Sequence, residues 1–208
     1  MKLQHHVLYA IDDFFNNKKD AALMHACFAI DGTAKKLFPN QISGKKNYKE
    51  CLRNYWWLIE PFIGSGLNLE ETRWTHLTLE DGHGKIITDP DLADIIYHIF
   101  RCNNAHGEAV PLEYDLLPVS DGFSRWIVGL EDKRLHMPER VIWALLAVAV
   151  FSKVNLGTKT EGGHFLSWGS ETLDIGIKNF IIKDSWGKED EIREFLFKHE
   201  HIRVKMNF

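Results

Sequence analysis

The sequence predicts a mainly α-helical protein: an antiparallel helical bundle with one inserted β-hairpin and a small α/β extension at its C-terminal end. Three observations carry that expectation. Apolar residues recur at helical spacing from Leu3 to Phe15 and again from Ala21 to Leu37. The run "VIWALLAVAVF" at 141–151 is hydrophobic all round, which places a helix inside a bundle, and it is far too short to span a bilayer. A helix start signal, Asp89 followed by Pro90, opens a further periodic stretch.

Taken in order, Leu3, Val7, Ala10, Ile11 and Phe14 define the first helix, and "NNKK" at 16–19 interrupts before the second, which ends at Pro39. The second is apolar nearly all round at its centre, so His25 and Asp31 are expected to face protein and make buried hydrogen bonds. A third helix is read from Lys46 to Ile63, followed by a loop with Gly64, Gly66, Gly82 and Gly84 in which "TRWTHLTLE" alternates enough for a short strand. With Asp89 as N-cap and Pro90 at the first helical position, the fourth helix buries Leu92, Ile95, Ile96, Ile99 and Phe100 and stops near Ala105 and Gly107. "PLEYDLLPV" and "FSRWIVGLE", separated by "SDG", read as a hairpin over about 112–130. Met137-Pro138 opens the core helix. After a loop, "LGTKTEGG", the chain suggests a strand at Phe165–Trp168, a helix from Ser185 to about His199 and a strand-like tail. The bundle thus covers 1–157, and 158–208 forms an extension packed on the same domain.

Composition narrows function. The chain has 208 residues, 45% hydrophobic and 26% charged, enough for one sizeable core. Its net charge of −4 offers no overall basic field, so any RNA contact must use a local patch. Cys27, Cys51 and Cys102 are odd in number and widely spaced, which argues against a disulfide framework or a thiol zinc site and fits a reducing cytoplasm. The N-terminal residues meet acidic side chains and histidines too early for a signal peptide, and no membrane segment is expected. His5-His6 and His199-x-His201 lack a carboxylate or cysteine at ligand spacing, so neither a metal nor another cofactor is expected. No G-x-S-x-G and no glycine-rich phosphate loop is present.

The most informative stretch is "IIYHIFRCNNAHGEAVP" at 95–111, with Arg101, four residues, then His106 and Gly107. Spacing alone proves little: eight arginines and eleven histidines give about 0.4 such matches by chance, and Arg193 and His199 form a near-match within the charged terminal helix. Context separates the pairs. On an ideal helix Asp94, His98 and Arg101 share a stripe opposite Leu92, Ile96 and Ile99, which points Arg101 toward solvent or a partner. The turn-forming Asn103, Asn104 and Gly107 can swing His106 back beside Arg101.

A helical bundle, an Arg-x4-His sequence at the end of a late helix and a following apolar helix resemble the HEPN family, over about residues 1–155. The resemblance implies a compact bundle acting as a metal-independent endoribonuclease, with Arg101 and His106 as the catalytic pair. His106 would take the 2′-hydroxyl proton and Arg101 would stabilise charge on the phosphate oxygens. It further implies a homodimer in which two motifs meet at one cleft, with Asp94, His98, Cys102 and Asn103 as accessory candidates. The biological setting it suggests is the toxin or effector of a toxin–antitoxin or defence system, with an antitoxin or a nucleotidyltransferase as partner. Family members usually carry Asn, Asp or His directly after the arginine, whereas this chain has Cys102.

The best local patch for RNA phosphates is Lys35, Lys36, Lys45, Lys46 and Lys49, a run with five lysines and no acidic residue between Gly32 and Lys49. Each reading has a plainer competitor. A basic pair at a helix C-terminus is favoured by the dipole, lysine runs are commonly solvated faces, and Asp94 with His98 is more often a surface pair than a catalytic accessory. Tyr55, Trp56 and Trp57 can stack bases or supply core area. Two alternatives to the nuclease therefore stand: a non-catalytic HEPN-like module binding a nucleotide, RNA or protein, and an all-α interaction scaffold in which the pair is incidental.

Overall fold

The structure is a computed structural model that describes residues 2–40, 43–63, 68–69, 71–75, 77–80, 85–98, 114–118, 129–131, 134–170 and 175–198. It is mainly helical, with small sheets at the periphery. Helices α1 (Leu3–Phe15) and α2 (Lys19–Leu37) form an antiparallel pair. Leu3 packs on Gly32, His6 meets His25, and the Lys19 ammonium sits over the Phe14 ring. Asn17, at φ 59, makes the tight turn between them, a left-handed position that asparagine tolerates well.

The third helix of the sequence reading is two helices, α3 (Gly44–Asn54) and α4 (Trp56–Ile63). Ser43 caps α3 by accepting from the Lys46 amide at 3.3 Å. The chain breaks at Tyr55, whose buried hydroxyl lies 2.8 Å from both Ser152 Oγ and Glu189 Oε2. Tertiary bonding at that hydroxyl is something helical periodicity does not encode.

The short strands β1 (Thr78–Glu80) and β2 (Ile86–Thr88) pair antiparallel and lead to the α5 turn (Leu92–Ile95), which widens into a π turn at 96–98. Of the two runs around "SDG", 119–128 lie outside the described residues, and the parts that are described, on either side, do not pair with each other. Strand β3 (Tyr114–Leu117) pairs parallel with β5 (Arg134–Pro138), and β4 (Gly129–Glu131) pairs antiparallel with β5 from the other side. Met137 and Pro138 accordingly close a strand rather than open a helix. Pro138 has no amide hydrogen to donate, and the ladder ends one residue later where the Glu139 amide bonds Leu117 O at 2.9 Å.

Helix α6 (Arg140–Phe151) is the core helix that its composition predicts: Val141, Ile142 and every residue from Ala144 to Phe151 are buried. It packs against α2 and α4. Lys19 pairs with Glu139 at the start of both helices, while Asn155, just beyond α6, donates to Thr33 Oγ1 near the end of α2. Helices α2 and α6 therefore run in the same direction, so the bundle is not uniformly antiparallel. The long intervening chain, 38–139, returns to the end from which α2 started.

Beyond a 3-10 turn at Lys153–Asn155, strands β6 (Phe165–Ser170) and β7 (Ile175–Ile181) form an antiparallel pair. A short α7 (Ile182–Ser185) and a turn at Gly187, φ 76, come before the expected terminal helix, which starts later than Ser185 as α8 (Glu189–Lys198). This extension is fastened to the bundle. Gly187 N–H donates to Val150 O at 2.8 Å, and Arg193 lies 3.9 Å over the Trp57 ring.

Candidate functional site

The segment that leads into the Arg-x4-His sequence starts from a network of charges. The N-cap of α5 is Asp91, not Asp89, which instead adopts a left-handed conformation at φ 49. Asp91 Oδ1 accepts from the Asp94 amide at 2.8 Å and Asp94 Oδ2 accepts from the Asp91 amide at 3.3 Å, a reciprocal capping box. Helix α3 then clamps both carboxylates. Arg53 donates to Asp91 Oδ2 through Nε at 3.2 Å and Nη2 at 2.7 Å, and to Glu50 at 3.0 Å. Lys49 Nζ reaches Asp94 Oδ1 at 2.6 Å.

Burial alone would raise the Asp94 carboxyl, but the Lys49 hydrogen bond and charge, the Asp91 amide and the nearby Arg53 together hold it below its ordinary value. The stabilisation this carboxylate contributes is present above its unfolded pKa, about 4, and is lost as pH falls through the lower folded value. Acid titration of thermal stability should therefore show a loss below about pH 4, and Lys49→Met should flatten it; an unchanged acid limb would break the link.

Asp91→Ala removes both the cap and the buried partner of Arg53, with an expected loss of about 2 kcal/mol, measured by denaturant unfolding. Asp91→Asn retains a capping oxygen and should lose less.

The placement of the predicted site residues differs from the stripe on the ideal helix. His98 is 4% exposed, with its ring 5.0 Å from that of Tyr97, and Asp94 is tied to α3. The π turn at 96–98 changes the angular step per residue, and α3 covers the face the stripe would have left free. Arg101, Cys102, Asn103 and His106 lie outside the described residues. Of the lysines, Lys35, Lys36 and Lys46 are exposed, Lys45 is half-buried, and Lys49 is held by Asp94 and so leaves the RNA-binding set. Tyr55 is buried and Trp57 is covered by Arg193, which favours their reading as packing area over base stacking. Arg193 also pairs with Glu189 four residues earlier at 3.2 Å, as expected of a charged terminal helix.

One cluster escaped the sequence reading. His6 Nδ1 on α1 and His25 Nδ1 on α2 stand 3.0 Å apart, and Asp13 Oδ2 lies 3.8 Å from His25 Nε2. Burial, with the neighbouring His25, holds the His6 imidazole down to about 4; burial also lowers His25, against the opposing pull of Asp13. Residues 19 apart in sequence meet only through helix pairing, so linear ligand spacing could not reveal them.

These features define a mainly α-helical protein with peripheral two- and three-stranded sheets and an ion-clamped helix start ahead of an Arg-x4-His sequence. The chain belongs to the Rv1289 family, whose model matches residues 2–208. It is similar to the Mycobacterium tuberculosis protein Rv1289 and the Mycobacterium bovis protein Mb1320. Each is 29% identical over 191 residues, covering 91% of this chain and 85% of the relative. Neither name states an activity. No solved structure matches.

Proposed function

We propose that the protein is a metal-independent endoribonuclease of HEPN type, with Arg101 and His106 as its catalytic pair. The observation that supports this best is the approach to that pair. The helix start that precedes the Arg-x4-His sequence in the chain is clamped by Lys49, Arg53, Asp91 and Asp94, the kind of support that a site needing fixed geometry requires. Asp94 and His98 act in support of that helix start rather than on substrate. Lys45 and Lys46, in the first turn of α3, add to the positive end of the helix dipole and, with Lys35 and Lys36, are the phosphate contacts. The homodimer rests on the family resemblance alone, since Asp94 and His98 do not form an outward stripe. A cytoplasmic toxin or defence effector, countered by an antitoxin or a nucleotidyltransferase partner, is the setting that goes with this reading. Among the described residues no helix is long and apolar enough to cross a membrane.

Incubation of purified protein with RNA in EDTA tests the reaction. Cleavage should persist and leave 2′,3′-cyclic phosphate and 5′-hydroxyl ends, because a 2′-hydroxyl attacks without a metal-activated water. Ends bearing a 5′-phosphate, or a strict Mg²⁺ requirement, would overturn the mechanism. The second reading is a non-catalytic RNA-, nucleotide- or protein-binding module. It is favoured by the burial of His98 and the tethering of Asp94 to Lys49, which leave neither accessory group open to solvent. RNA retention without cleavage would select it.

A further inference from the structure

The His6–His25 pair is built differently from an ordinary surface contact between histidines. The two Nδ1 atoms face each other at 3.0 Å from adjacent helices. Two bonds of about 2.0–2.1 Å to one cation, meeting at 90–110°, put their donor nitrogens roughly 2.8–3.4 Å apart. The observed separation falls inside that range, as it does inside that of the hydrogen bond the two rings make without a cation. The far side of His25 completes the pattern, since Asp13 Oδ2 lies 3.8 Å from Nε2. That distance is too long for a hydrogen bond, but the carboxylate favours the tautomer with the proton on Nε2. His25 Nδ1 is then left with its lone pair directed at His6. A carboxylate behind a ligand imidazole is the usual outer support of a metal-bound histidine.

We propose that His6 and His25 hold one borderline divalent cation, such as Zn²⁺, Cu²⁺ or Ni²⁺, between their Nδ1 atoms, with Asp13 supporting His25 from behind. Imidazole donors suit these cations rather than Mg²⁺ or Ca²⁺. The rings of Phe28, 5.2 Å from His6, and Tyr9, 5.5 Å from His25, flank the pair. Among the described residues no three His, Cys, Asp or Glu side chains converge as a ligand set, so solvent or an exogenous ligand fills the remaining positions. The bound cation bridges α1 and α2. The inference is independent of the nuclease reading, because the site lies on a different helix pair from the Arg-x4-His segment.

Tag-free protein, stripped with EDTA and exchanged into chelator-free buffer, should bind one Zn²⁺ per chain by isothermal titration calorimetry and melt at a higher temperature with Zn²⁺ present. His6→Ala and His25→Ala should each weaken binding by at least about 10-fold, and Asp13→Asn by about 10-fold. His5→Ala, at the exposed neighbour, should bind like the parent. No saturable binding by the parent up to about 100 μM Zn²⁺, or parent-like binding by either histidine variant, would overturn the proposal. If the alanine variants fail to fold, Cu²⁺ paramagnetic resonance of the His5→Ala protein decides. Hyperfine splitting from two imidazole nitrogens supports the site, and its absence overturns it.

Discussion

Arg101→Ala and His106→Ala are each expected to lower RNA cleavage by about 10²-fold or more, with thermal melting close to that of the parent. One substitution removes charge stabilisation of the attacked phosphate and the other removes the proton acceptor. His106→Gln separates chemistry from capping: a polar side chain without a titratable base should behave like alanine if the proton matters, and like the parent if the residue only ends a helix. Arg193→Ala is the matched control, with a sharper expectation from the structure. Arg193 covers Trp57 and pairs with Glu189, so its loss should lower stability while leaving cleavage per folded molecule unchanged. His199→Ala should change neither. Parent-rate cleavage by His106→Ala would end the catalytic assignment. If the parent itself is inactive on RNA, Cys102→Asn restores the residue type usual after the arginine, and its failure to confer cleavage would favour the binding module.

The elements legible in the sequence are those whose identity depends on local periodicity. Helices α1 and α2 and the buried α6 declare themselves because their apolar residues recur at the helical period or fill the whole circumference. The misread elements depend on distant partners. The helix breaks at Tyr55, whose hydroxyl bonds Ser152 and Glu189, residues far along the chain. Strand β5 resembles a helix start because proline fits the first turn of a helix and the end of a strand equally well, and the parallel partner Tyr114–Leu117 decides between them. Direction within the bundle was also hidden, since no short-range signal reports that a chain of about a hundred residues returns α6 alongside α2.

The candidate site shows the same division. The capping box was legible as a start signal, yet the sequence suggested Asp89 because Asp-Pro is the stronger local pattern; the contact with Arg53 selects Asp91. The wheel that turned Asp94 and His98 outward assumed a uniform helical step and a free face. Lys49 and Arg53 occupy that face, and the π turn at 96–98 disrupts that step. Two assumptions valid for an isolated helix thus fail together at one packed position. Of the His6–His25–Asp13 cluster only the protein-facing side of His25 was legible; its partners were not, because they meet only where two antiparallel helices touch.

Gly187→Ala is expected to destabilise the protein by about 3 kcal/mol, combining a left-handed backbone cost of about 1–2 kcal/mol with overpacking of about 1–3 kcal/mol. Gly187 sits at φ 76 in the turn between α7 and α8, and its amide is committed to Val150 O. An added Cβ would stand 2.6 Å from Leu156 Cα and 2.8 Å from Leu156 N. Those are backbone atoms, so relief requires moving the turn that fastens α8 to the bundle. The melting temperature should fall by about 6–12 °C, and the Tyr55–Glu189 contact should loosen, exposing α8 to limited proteolysis. Gly157→Ala is the control that isolates the clash. It shares the left-handed conformation, at φ 82, but its Cβ meets nothing within 4 Å, so only the backbone cost of about 1–2 kcal/mol should remain. Equal losses in the two variants would show that the approach to Leu156 carries no weight; a much larger loss at Gly187 would identify that turn as the point where the extension depends on the helical core.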